Sequence, residues 1–175
     1  YFLLRSGEFV SADPTLDRLL RQMAWANAGC LAHLRSLEDR ALSVSVPGNA
    51  WTVGRIAEHI VGAAEFYVWR LGAGPDLPEH EPPVRAAELD GLLARCAAAD
   101  ALIRRAAAEP EGIAEEQVGG RTVRRARSTI LAQAIHHATE HRAQIAEALV
   151  ANGLPPLDLD ALDLWAYGDA EGLGA

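Results

Sequence analysis

Four stretches of about twenty residues each repeat apolar side chains at the three- and four-residue spacing of an α-helix, and Gly- or Pro-rich breaks separate them. That pattern limits the chain to folds in which helices bury their stripes against one another. The first stretch takes Asp13 as N-cap with Pro14 in its first turn and runs to about Leu37. Its face carries Leu16, Leu19, Leu20, Met23, Cys30, Leu31 and Leu34, with Asn27 in the middle. After a loop from Ser43 to Ala50, the second runs from Trp51-Thr52 to Leu71. It is apolar almost all round, as the most buried helix should be. Gly72 to Pro83 breaks the chain. The third, Arg85 to Glu109, has Asp100 within its stripe and stops before Pro110. Glu111 to Arg127 reads as irregular, with a turn at Gly119-Gly120. The fourth runs from Ser128 as N-cap to about Asn152, ended by Gly153 and Pro155-Pro156. Leu157 to Gly168 reads as a short helix or strap lying across the others. The expectation is an all-α four-helix bundle with a C-terminal strap. It forms one domain over 1–175, with 1–12 an N-terminal extension and a core of about 13–168.

Composition narrows the function. Ala and Leu supply most of the 50% hydrophobic content, which favours helix over strand. No apolar run approaches the ~20 residues that span a bilayer. Tyr1 to Val10 lacks the basic start and small-residue cleavage site of a secretory signal, so a cytoplasmic setting is expected. A net charge of −8 argues against a nucleic-acid surface. The basic cluster Arg121, Arg124, Arg125 and Arg127 is short and reads as solvated. Cys30 and Cys96 form no CxxC unit and read as small buried core residues.

Six histidines carry the chemical signal, and their placement separates them. At about 100° per residue, His137 and His141 fall within about 20° of Ile130, inside the apolar stripe of the fourth helix, whereas His136 falls outside it. Two imidazoles four residues apart stand one above the other and can reach one cation at about 2.0–2.1 Å. Buried without a partner, each would leave a ring nitrogen unsatisfied. Ala134 and Ala138 leave room for an ion. His59, at the edge of the second helix's stripe, offers a third nitrogen. His33 at a stripe margin and His80 in a Pro-rich loop read as solvated.

These residues resemble the DinB-like superfamily, damage-inducible metal-binding bundles related to the N-terminal region of mycothiol-dependent maleylpyruvate isomerase. Met23-Ala24-Trp25-Ala26-Asn27 is similar to that family's aromatic-x-Asn opening. Trp51-Thr52-Val53 followed by Ile56-Ala57-Glu58-His59 resembles its second-helix pattern, and His137 to Ile145 resembles its HxxxHRGQ signature, with Ala143 where the family commonly has Gly. Leu162-Asp163-Leu164-Trp165-Ala166-Tyr167-Gly168 resembles its closing segment. The resemblance implies one divalent metal on His59, His137 and His141, zinc first, with nickel or iron as alternatives. It also implies a homodimer, for which Trp25, opposite the first stripe, is a candidate contact, and relatives that include thiol-dependent transferases and isomerases.

A cation held by three neutral imidazoles keeps its charge, so it can acidify bound water or bind a thiolate. The expected function is a metal-dependent small-molecule enzyme of the thiol S-transferase or isomerase type. The partner would be a low-molecular-weight thiol, and the Ala-, Arg- and Gly-rich composition is compatible with mycothiol. A hydrolase using metal-bound water and a non-catalytic metal- or ligand-binding module are the alternatives. Candidates for general acid or base are Glu58, Glu140 and Asp100. Asn27 and Asp100, which interrupt apolar stripes, are also candidates for a partner of a ligand imidazole or a substrate contact.

Overall fold

A computed structural model describes residues 13–74, 77 and 80–173. The expected extension, 1–12, lies outside the described residues. Among the described residues five α-helices occur in the order α1 (Pro14–Arg35), α2 (Val53–Arg70), α3 (Leu89–Ala107), α4 (Arg127–Ala151) and α5 (Leu164–Ala170), with strands β1 (Ile113–Val118) and β2 (Arg121–Ala126) between α3 and α4. The chain is therefore mostly helical rather than all-α, and the segment expected to be irregular is an antiparallel hairpin. Gly119 and Gly120 both have positive φ, 54° and 78°, as a two-residue hairpin turn requires. From there Val118 pairs with Arg121 and Ile113 with Ala126. Arg70 of α2 forms a 2.7 Å ion pair with Glu116 and ties the hairpin to the helices.

Helix starts follow local chemistry. Asp13 Oδ1 accepts from the Thr15 and Leu16 amides at 2.8 and 3.3 Å, and Thr52 Oγ1 accepts from the Arg55 amide at 3.2 Å. Ser128 does not cap α4. The helix follows β2 directly, Ala126 supplies no side-chain cap, and the Glu111 carboxylate accepts from the Ser128 amide at 3.1 Å. A 3-10 turn, Ala86–Glu88, precedes α3, so that helix starts later than its apolar pattern suggests. Gly54 is required by crowding. A Cβ there would sit 2.3 Å from the Pro83 carbonyl oxygen, where the α2–α3 connection crosses the start of α2.

The four long helices pack in the cyclic order α1, α3, α2, α4, with α1 against α3 and α2 against α4 as the most extensive pairs. Their interior divides into two apolar clusters. One gathers Leu31, Leu34, Ile56, Val61, Leu89, Cys96, Ile145 and Leu149. The other gathers Leu20, Met23, Ala64, Val68, Ile103, Ile130 and Ala138. Helices α1 and α4 run from the second cluster to the first, and α2 and α3 run the opposite way. Three of the four place a buried polar residue where they cross from one cluster to the other: Asn27 between Met23 and Cys30, Asp100 between Cys96 and Ile103, Arg142 between Ala138 and Ile145. The C-terminal segment lies on α1, as a strap should. Gln22 Nε2 donates to the Leu162 carbonyl at 2.6 Å, and Trp25 packs on Tyr167 of α5 with centroids 5.6 Å apart. Among the described residues no helix is long and apolar enough to cross a membrane.

Candidate metal centre

His59 stands on α2, His137 and His141 on α4, and the packing of these two helices brings the three rings together at the level where the clusters meet. His137 Nε2 lies 3.0 Å from His59 Nε2 and 3.1 Å from His141 Nε2. Among the described residues these three form the one group of histidine, cysteine or carboxylate side chains placed to hold an ion, with all three donor atoms within 4.8 Å of one another. All three are half-buried, whereas His136 is exposed. His33 Nε2 lies against the Pro155 carbonyl, and His80 is exposed in the α2–α3 connection.

The donor set fits a cation better than it fits protons. His141 Nδ1 lies 2.8 Å from Gln144 Oε1, and an amide oxygen only accepts, so Nδ1 carries the hydrogen and a neutral His141 presents a lone pair at Nε2. His137 Nε2 faces two nitrogens at once. A ring nitrogen has one in-plane position, holding either a hydrogen or a lone pair, and cannot satisfy both contacts. One cation among three lone pairs satisfies all of them. Burial, then the charges of His141 and His59, pushes His137 down to about 4, and burial with His141 and Arg55 lowers His59. Both rings are therefore neutral at pH 7, the form that binds metals.

Aromatic rings wall the centre. Trp51 meets His59 edge-on at 4.7 Å and lies nearly parallel to His141 at 6.1 Å, and Tyr67 meets His137 edge-on at 5.9 Å. Burial raises the Tyr67 hydroxyl above its ordinary range. Glu58, next to His59, is held by Arg95 through two bonds of 3.0 and 2.8 Å, and the same guanidinium grips Glu65. Glu140 is exposed, with Tyr67 in reach of its charge.

Asn27 and Asp100 belong to the buried polar layer and bond to residues other than the three histidines. Arg142 Nη1 donates to Asn27 Oδ1 at 2.5 Å, and Nη2 donates to Thr139 Oγ1 at 3.1 Å. The Cys96 thiol donates to Asp100 Oδ2 at 3.5 Å, while Asp100 Oδ1 has no hydrogen-bond partner. Burial pushes the Asp100 carboxyl up to about 6, against the pull of Cys96, Arg142 and Arg104. Burial also lowers Arg142, so both charged groups lack full compensation. Cys30 and Cys96 are buried free thiols, and burial raises both well above the usual thiol range.

Sequence reasoning did not single out Arg142, Gln144 or Arg55. Gln144 sits three residues after His141, a spacing that puts the two side chains on one face, and that was the available signal. Trp51 was noted only as part of a motif.

The DinB family model matches residues 11–169. No curated protein and no solved structure matches the chain.

Proposed function

The chain belongs to the DinB family, and we propose that His59, His137 and His141 ligate one divalent cation within a four-helix bundle and that this centre acts on small molecules. The observation that carries this reading is the convergence of three Nε2 atoms with no carboxylate or thiol beside them among the described residues. Closed structural sites take four protein ligands, whereas three leave positions for a reactant. Imidazole suits zinc, nickel and iron, and zinc is the first choice.

A divalent cation bound there supplies Lewis acidity, lowering the pKa of a water or thiol that joins it. The chain supplies the rest. Gln144 holds His141 in the tautomer that turns Nε2 inward. Trp51 and Tyr67 shield the centre from bulk water. Arg95 holds Glu58 by two bonds, whereas Glu140 has no such ion pair among the described residues and can take a proton beside Tyr67. Asn27 works at a distance, through Arg142 on the turn that carries His141.

The reading is a thiol-dependent transferase or isomerase that uses a low-molecular-weight thiol. Metal-loaded protein should consume an electrophile only when thiol is present, and a chelator should stop it. Cleavage of esters without thiol would make it a hydrolase. One bound metal with no turnover across a thiol and electrophile panel would make it a binding module.

Gln144→Leu should leave the fold intact and lower zinc affinity about tenfold, as loss of a partner to a ligand imidazole does. Competition against a chromophoric chelator reads it. Unchanged affinity would remove Gln144 from the centre.

A further inference from the structure

We propose that the reactant this centre takes carries an anionic group of the carboxylate type, and that Arg55, held over Trp51 at the rim, binds it. The inference rests on the metal-dependent reading above and adds the substrate's charge. Arg55 and His59 stand four apart in the first turns of α2 and so share one face, and Trp51 lies just before the Thr52 cap of that helix. The Arg55 guanidinium carbon lies 5.1 Å from the Trp51 ring centroid, and the same ring lies against His59 and His141. The indole therefore touches both the guanidinium and the imidazoles, and it fixes the guanidinium's position near them.

Arg55 is exposed and pairs with no carboxylate among the described residues, unlike Arg35, Arg70, Arg85 and Arg95. Glu58, the nearest acid in sequence, is spent on Arg95, and Glu140 stands exposed on α4. A dication on three neutral rings, beside an unpaired guanidinium, leaves this end of α2 strongly positive on a chain whose net charge is −8. An anion that joins the metal relieves that excess, and the guanidinium fork offers a carboxylate two parallel hydrogen bonds. A neutral reactant of the same size gains neither.

The full chain loaded with cobalt(II) is titrated with 3-mercaptopropionate and with 3-mercapto-1-propanol, following the sulfur-to-cobalt charge-transfer absorption. The expected result is that the acid binds about tenfold more tightly than the alcohol, as a charge-assisted contact gives. Arg55→Ala should cut that preference about fivefold or more, leaving the alcohol's affinity and the cobalt stoichiometry unchanged. Arg55→Lys should keep part of it. Any preference that survives in Arg55→Ala reports chelation by the carboxylate. The same preference in wild type and Arg55→Ala would overturn this inference alone. Cobalt-loaded protein that responds to neither thiol would overturn the thiol reading of the site and this inference with it.

Discussion

Replacing His137 by alanine should lower the affinity for a divalent metal on the order of a hundredfold, since a zinc site spreads its binding energy at about 3 kcal/mol per ligand. His137 is the residue to choose because its Nε2 is the one in contact with both other rings, at 3.0 and 3.1 Å. Its loss leaves only two ring nitrogens, from His59 on α2 and His141 on α4, to hold an ion. The side chain is half-buried beside Ala134 and Ala138, so a smaller residue leaves a gap without stranding a charge. The fold should survive, and circular dichroism should show the same helix content. Elsewhere on α4, His136→Ala supplies the control: that ring is exposed, and its removal should change nothing. Equal metal affinity in wild type and His137→Ala would rule this residue out as a ligand.

Arg142→Ala should have the largest effect on stability, about 3 kcal/mol near pH 8. On a chain of this length that corresponds to a fall in Tm of about 10 °C. Arg142 is 4% exposed, and its two bonds join α4 to Asn27 of α1 and to Thr139 one turn back. Removing it leaves the Asn27 carbonyl oxygen buried and unpaired, and takes away one of the two cations that offset Asp100.

The pH dependence follows from the sign of the Asp100 shift. Its native pKa, about 6, lies above the ordinary 3.8, so between those values the native state binds a proton that the unfolded chain has released. Ionising Asp100 therefore lowers stability as pH rises through about 6. Without Arg142 that pKa rises further and the penalty grows. The deficit of the variant should be smallest near pH 5 and largest near pH 8. Thermal melts across that range read it, and a fall of less than about 3 °C at pH 8 would show that the polar layer contributes little.

The parts of the molecule that depend on local chemistry could be read from the residues directly. Asp13 and Thr52 cap helices because a side-chain oxygen next to a free amide needs nothing from the rest of the chain. The angular position of His137 against His136 on α4 depends only on helical geometry, and it separates the half-buried ring from the exposed one. The hairpin was not legible in this way. Its strands, Ile113–Val118 and Arg121–Ala126, carry few apolar residues, and Ile113 is 55% exposed, so no apolar alternation in the sequence marks them. They pair because Gly119-Gly120 turns the chain and because Arg70, far back in sequence, holds Glu116. Ser128 misled for a related reason, since the cap of α4 comes from Glu111 in the loop before the hairpin.

The buried polar layer was half legible. Asn27 and Asp100 stood out as breaks in apolar stripes, but Arg142 beside a histidine looks like an ordinary surface charge. Its partner Asn27 lies 115 residues away, a contact that only the packing of α1 on α4 creates. The layer lies at the junction of the two apolar clusters, at the level of the histidines, where a rigid set of hydrogen bonds fixes the height of α4 against α1. That link is the structural reason for the size of the effect expected from Arg142.

The central claim, one divalent ion on three imidazoles, is tested most directly by X-ray absorption at the zinc edge of protein loaded with one equivalent of zinc. The account predicts three imidazole nitrogens at about 2.0–2.1 Å, completed by a light atom from solvent, and one imidazole fewer in His59→Ala. A zinc environment with fewer than three imidazoles in the wild type, or one unchanged in His59→Ala, would contradict it.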